Sequence, residues 1–178
     1  MFTWFANRTG RRRQARELYG AVVAQARNPG FYRALGVADT QDGRYELVAL
    51  HLVVLIERLG RPDIGDAPLR RETLEAFVTD MDDSMREMGV SDASVPRKVK
   101  KAAAGVYERA RIYSEALAHA DDGALEAALG LHVYRAQPNS GIAPLARYVR
   151  ATSVHLAAQS ATRLKAGVVT FPSLEATP

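Results

Sequence analysis

The chain has 178 residues, 47% of them hydrophobic and 25% charged, with no cysteine. This is one domain's worth, able to bury roughly two-thirds of its unfolded surface around a single core, and the lack of cysteine excludes disulfides, thiolate metal sites and cysteine nucleophiles. The net charge of +4 sits in residues 1–20, where Arg8, Arg11, Arg12, Arg13 and Arg16 face only Glu17; residues 21–178 balance 19 basic against 19 acidic groups. Attraction to phosphate therefore belongs to an N-terminal arm, not to a basic groove, which argues against sequence-specific nucleic-acid recognition.

The arm, residues 1–10, sets Phe2, Trp4 and Phe5 ahead of the arginines. That order reverses a secretory signal, and neither an apolar core nor a small-residue cleavage site follows, so the segment reads as a mature N-terminus. Two roles stay open for it. The aromatics can enter a headgroup boundary while Arg11, Arg12 and Arg13 meet anionic lipid or ribosomal phosphate, each cation worth about 1 kcal/mol near a charged surface; or the aromatics dock on the protein's own core.

From residue 11 to 167 the apolar residues recur at helical spacing and predict an all-α domain of six or seven helices. A first helix spans 11–27, ended by Asn28-Pro29-Gly30, and a short turn, FYRALG, follows. Asp39 or Thr40 caps a helix over 43–59 whose apolar residues cover every side, which makes it central. Its run LVALHLVVLI is about half of what a bilayer crossing needs. Asp66 caps the next helix, with Pro68 in its first turn and Gly89 as its stop near Met88. Ser94 precedes a long amphipathic helix with a stripe from Val95 to Leu117. Asp121 or Asp122 caps a helix over 123–135, a last helix covers 144–166, and the tail 168–178, with two prolines, is a strap or disordered.

The stretch DMDDSMREMGVSDASVPRKVKK, 80–101, invites three readings. As a magnesium cluster of an isoprenoid enzyme, the Asp80–Asp83 segment fails because the pair Asp82-Asp83 lacks the third aspartate of the motif, Arg86 standing in its place, and no metal is expected. Met85 occupies the position where a calcium loop needs glycine. Asp80, Asp83 and Glu87, at i, i+3 and i+7, share a face expected to point outwards, whereas Arg97, Lys98, Lys100 and Lys101 open the next helix against its dipole. A solvated corner and a partner-recognition surface both fit. His51 reads as a satisfied core histidine; His119, His132 and His155 lack metal-ligand spacing, and no nucleophile elbow or phosphate loop occurs. No catalytic residue and no cofactor is expected.

Two longer stretches carry a resemblance: LYGAVVAQARNPGFYRALGVADTQDGRYELVALHLVVLIERL at 18–59 and DMDDSMREMGVSDASVPRKVKKAAAGVYERARIY at 80–113, with HVYRAQ and LARYVRA further on. Over about 18–152 the chain resembles the ubiquinol-cytochrome c chaperones, helical assembly factors for the cytochrome b-containing respiratory complex. It departs from the family pattern at Leu131-His132, where an Arg-Asn pair is usual, and at Ser91, where glycine is usual.

The resemblance implies a non-catalytic chaperone that holds newly made cytochrome b, or another membrane-protein client, with a second assembly factor near the ribosome exit. It would act in the cytoplasm, peripheral to the inner face of the membrane, or on the matrix side of a mitochondrion. With the charge pattern it selects Asp80, Asp83, Arg86, Glu87, Lys98, Lys100 and Lys101 for partner contact, and Phe2, Trp4, Phe5 and Arg11 to Arg13 for membrane or ribosome. Met81, Met85 and Met88 suit an adaptable apolar surface as well as a core. A helical lipid or quinone carrier and a magnesium-dependent isoprenoid enzyme using Asp80–Asp83 are the alternatives.

Overall fold

The computed structural model describes the backbone of residues 2–174 and the side chains from Thr9 to Leu174. The side chains of Phe2, Trp4 and Phe5 therefore lie outside the described residues, as does the end of the tail. Six helices of ten residues or more and two of five follow one another, with no strand among the described residues.

Helix α1 (Phe2–Ala26) starts well before residue 11 and buries Ala15, Leu18, Tyr19, Val22 and Ala26, one face at steps of three and four. Asn28 ends it by capping the short α2 (Pro29–Arg33): its carboxamide oxygen accepts from Gly30 N at 2.9 Å, and Pro29 supplies a fixed φ at the first helical position. Helix α3 (Gln41–Leu59) begins at Thr40, whose hydroxyl accepts from Gly43 N at 3.2 Å, while Asp39 pairs with Arg44 instead. Gly43 is required there, because a Cβ would stand 2.0 Å from the Ala38 carbonyl oxygen. All of Leu47, Leu50, Leu52, Val53, Leu55 and Leu59 are buried, and α3 touches α1 and the three later helices α4, α5 and α7. The central position follows from having no polar face to leave in water.

Helix α4 (Ala67–Glu87) is capped by Asp66, which accepts from Leu69 N at 3.0 Å, and is stopped by Gly89 at φ +78°, where Val90 N returns to the Met85 carbonyl. Helix α5 (Val95–Leu117) buries Val95, Val99, Val106, Tyr113 and Ala116. Helix α6 (Gly123–His132) ends three residues short of the expected 135, since Arg135 and Ala136 both take left-handed φ. Neither aspartate caps it in the usual way: Asp121 accepts from Gly123 N at 2.9 Å, and Asp122 holds Arg150 at 2.6 Å.

The expected last helix is two, α7 (Ile142–Ala158) and α8 (Ala161–Lys165). The break is at Gln159, which is extended at ψ 140°. Its carbonyl accepts from buried Arg58, and its carboxamide bonds Thr170 N and the Thr170 carbonyl at 3.0 and 2.7 Å. These contacts exist only because the chain leaves the helix there. They also hold the described part of the tail as a strap.

Candidate functional site

The corner between α4 and α5 is assembled by Arg86. Its guanidinium pairs with Asp82 one turn back, at 2.6 Å, and with Asp92 in the turn beyond Gly89, tying helix to loop. Asp83 and Glu87 stay exposed nearby. On the other side Arg97, Lys98, Lys100 and Lys101 are all exposed, and none makes an ion pair among the described residues. Arg97 and Lys98 sit in the first turns of α5, where their charge opposes the helix dipole. The Ser94 side chain does not cap this end; it accepts from the Ser91 hydroxyl at 3.0 Å.

Asp80 corrects the expectation of a common outward acidic face. It is half-buried and accepts a 2.6 Å hydrogen bond from the Tyr19 hydroxyl of α1. The cause is the phase of α4: Leu69, Thr73 and Phe77 define its buried side, and position 80 is one turn beyond Phe77, whose ring meets Tyr19 edge-on at 6.1 Å. Burial, and then the Asp80 carboxylate, push the Tyr19 phenol far up, so it remains a donor. The three carboxylates diverge, to Tyr19, to Arg86 and to water, so they offer no shared coordination point for a magnesium ion.

Beside the corner, Val78, Met81, Met85 and Met88 form a graded apolar stripe on α4. Met81 packs against the core, Met85 is half-buried, and Val78 and Met88 are exposed at 37% and 52%. Gln41 at the start of α3 donates to the Met88 sulfur at 2.8 Å. Sequence spacing alone places all four on one stripe and cannot say where the covering helix stops.

The three arginines that follow the arm, Arg11 to Arg13, have different roles. Arg11 pairs with Asp66 at 3.5 Å, anchoring α1 to the cap of α4; Arg13 pairs with Glu17 at 3.7 Å; Arg12 projects over a cleft between α1 and α4. That cleft, about 230 Å3, and a second of about 200 Å3 bordered by Glu57, Arg58, Arg61 and Ser114 are both lined mainly by charged and hydroxyl groups. Neither is the closed apolar cavity that a quinone or lipid-tail carrier needs.

The polar groups that sequence reasoning missed are long-range pairs. Glu46 of α3 and Arg109 of α5 form a buried fork at 2.7 and 3.1 Å, although 63 positions separate them. The ring of His132, at one of the departures from the family pattern, stands edge-on to buried Tyr113 with centroids 6.4 Å apart, and Leu131 beside it is 58% exposed. Burial and then Arg109 lower the pKa of His132.

His51 is a satisfied core histidine. Its Nδ1 lies 2.7 Å from the Leu47 carbonyl and must donate there, so Nε2 accepts from the Tyr148 hydroxyl at 2.9 Å. Gln25 donates to the same hydroxyl and to the carbonyl of Pro172 in the strap. Phe171 closes the set, edge-on to His51 at 5.4 Å. Replacing Phe171 with Ala will cost about 1–3 kcal/mol, because a half-buried ring and its edge contact are lost. Water then reaches the imidazole, so an NMR titration should show the His51 pKa rising from about 4 towards its ordinary value. An unmoved titration would mean that the strap does not shield the imidazole.

The family model described as ubiquinol-cytochrome C chaperone matches residues 33–171. The chain belongs to the ubiquinol-cytochrome c chaperone family. The crystal structure of the Cbp3 homolog from Brucella abortus superposes with a TM-score of 0.85 at 30% identity, covering 100% of both chains. No curated protein matches. The matched span of this chaperone contains the α4–α5 corner and Phe171 of the strap, while the whole of α1, with Arg11 to Arg13, precedes it. Membership in a chaperone family implies a client protein. No helix among the described residues is long and apolar enough to cross a membrane.

Proposed function

We propose that this chaperone acts without catalysis in the assembly of ubiquinol-cytochrome c reductase by holding newly made cytochrome b at the α4–α5 corner. The observation that carries the reading is the set of exposed cations Arg97, Lys98, Lys100 and Lys101, without an ion pair among the described residues, beside exposed Met88. Cations opening a helix oppose its dipole and are poorly explained by stability, whereas a partner with acidic loops and apolar helices would use both charge and methionine.

Asp83 and Glu87 offer the opposite sign to basic segments of the same client, and Arg86 fixes the turn between the two halves. Asp80 contributes by holding α4 on α1. Exposed Arg12 and Arg13, just after the arm, favour action at the inner face of the membrane, or beside the ribosome exit with a second assembly factor.

The test is capture of cytochrome b from detergent-solubilised native membranes by the tagged full-length protein. Recovery with the native corner, and loss of roughly tenfold when Lys98, Lys100 and Lys101 become glutamate, is the expected result. Equal recovery by the variant would remove the corner from the client surface; no cytochrome b with either protein would sink the reading.

A further inference from the structure

The cleft between α1 and α4 contains a group for which neither the fold nor the client surface accounts. Glu72 is only 6% exposed, borders the cleft, and its Oε2 is buried with no hydrogen-bond partner among the described residues. A carboxylate oxygen withdrawn from water without a donor is unfavourable until a donor arrives. Its neighbour Glu75 is already tied to Arg71 at 3.4 Å. At the mouth stand Arg12 and Arg16, one turn apart and both exposed, with no carboxylate partner among the described residues.

These features select a ligand by elimination. A metal ion would meet one buried carboxylate behind two guanidinium groups, which repel it. A simple anion would satisfy the arginines and be repelled by Glu72. A ligand that carries both signs within one small group fits both ends: an ammonium with N–H donors for Glu72, and a phosphate for the paired arginines. A quaternary ammonium cannot donate, so a choline group leaves Glu72 unpartnered.

We propose that this cleft binds a phosphoethanolamine group, with its ammonium at Glu72 and its phosphate at Arg12 and Arg16. The group can come from a membrane lipid or from a free zwitterion; the chemistry is the same. The site is independent of the client corner, which lies at the other end of α4.

The experiment titrates the full-length protein with glycerophosphoethanolamine, glycerophosphocholine and inorganic phosphate, following backbone amide signals of residues 12, 16 and 72. Sedimentation with phosphatidylcholine vesicles, with and without phosphatidylethanolamine, runs in parallel. The expected result is saturable binding with a preference of roughly tenfold for ethanolamine over choline, the loss of one charge-assisted contact. Glu72→Gln should remove the preference without lowering the melting temperature, and Arg12→Gln with Arg16→Gln, both on the exposed rim, should weaken both headgroups.

Vesicle binding without binding of the soluble headgroup assigns the site to a lipid, and the reverse assigns it to a free zwitterion; either supports the site. The proposal is overturned if neither probe binds, if choline binds as well as ethanolamine, or if Glu72→Gln retains the preference. It is also overturned if Glu72→Gln only lowers the melting temperature, since Arg12 or Arg16 would then be folding in as the internal partner.

Discussion

Lowering the pH from 6.5 towards 4 will remove roughly 3 kcal/mol of stability through His51 alone. Burial, opposed weakly by the bond to the Leu47 carbonyl, lowers the pKa of His51 to about 4. Between that value and 6.5 the unfolded chain takes up a proton that the folded chain refuses, so stability rises with pH across this window. The contribution is complete above the unfolded value, and is lost as pH falls until the folded value is reached. The geometry says why the proton is refused. Nδ1 already donates to Leu47, and Nε2 already accepts from Tyr148, so protonation would place two donors face to face unless the tyrosine hydroxyl turned away into a pocket of Phe31 and Phe171.

His132, whose pKa is also lowered, adds in the same direction with a smaller weight because it is only half-buried. Urea denaturation at intervals between pH 4 and 7 measures the slope, and His51→Gln supplies the control. Glutamine keeps an acceptor for Tyr148 and cannot titrate, so its curve should be much flatter. An unchanged slope in that variant would falsify the assignment to His51.

The fold was legible because every long helix carries its own pattern. The apolar residues of α3 cover its whole circumference, which identifies a central helix without any tertiary information, and Asn28, Asp66 and Gly89 mark ends by local chemistry. The break in the expected last helix is decided by partners distant in sequence, whereas α6 stops early at the left-handed backbone of Arg135 and Ala136. Gln159 leaves the helix to meet Arg58 and Thr170, and nothing within four residues signals that.

At the corner, Asp83 and Glu87 are exposed as their spacing predicts, since i, i+3 and i+4 spacing is a local property. Asp80 departs from that expectation although the sequence carries a signal for it. Leu69, Thr73 and Phe77 at steps of four draw a second face on α4, on which position 80 falls, and the methionine stripe on the other flank masks it. Glu72 belongs to the same buried side and is masked in the same way. The Glu46–Arg109 fork had no signal at all, because each residue taken alone looks like ordinary helix-surface charge.

Reversing charge at the start of α5 will move stability and client binding in opposite directions. Arg97→Glu with Lys98→Glu replaces two cations, each opposing the dipole by a few tenths of a kcal/mol, with anions that complement it. For a domain of this size the gain should raise the melting temperature by about 1–4 °C. Among the described residues neither side chain carries an ion pair that the change would break. If the corner is the client surface, the same variant loses cytochrome b roughly tenfold, mostly through slower encounter and stronger salt sensitivity. A corner that is merely solvated gives the first effect without the second. A melting temperature that falls would instead show that Arg97 and Lys98 stabilise the helix by contacts within the protein, and would remove the energetic argument for reading them as a recognition surface. Measuring both properties on one variant separates these cases, because a loss of capture accompanied by a higher melting temperature cannot be attributed to a damaged fold.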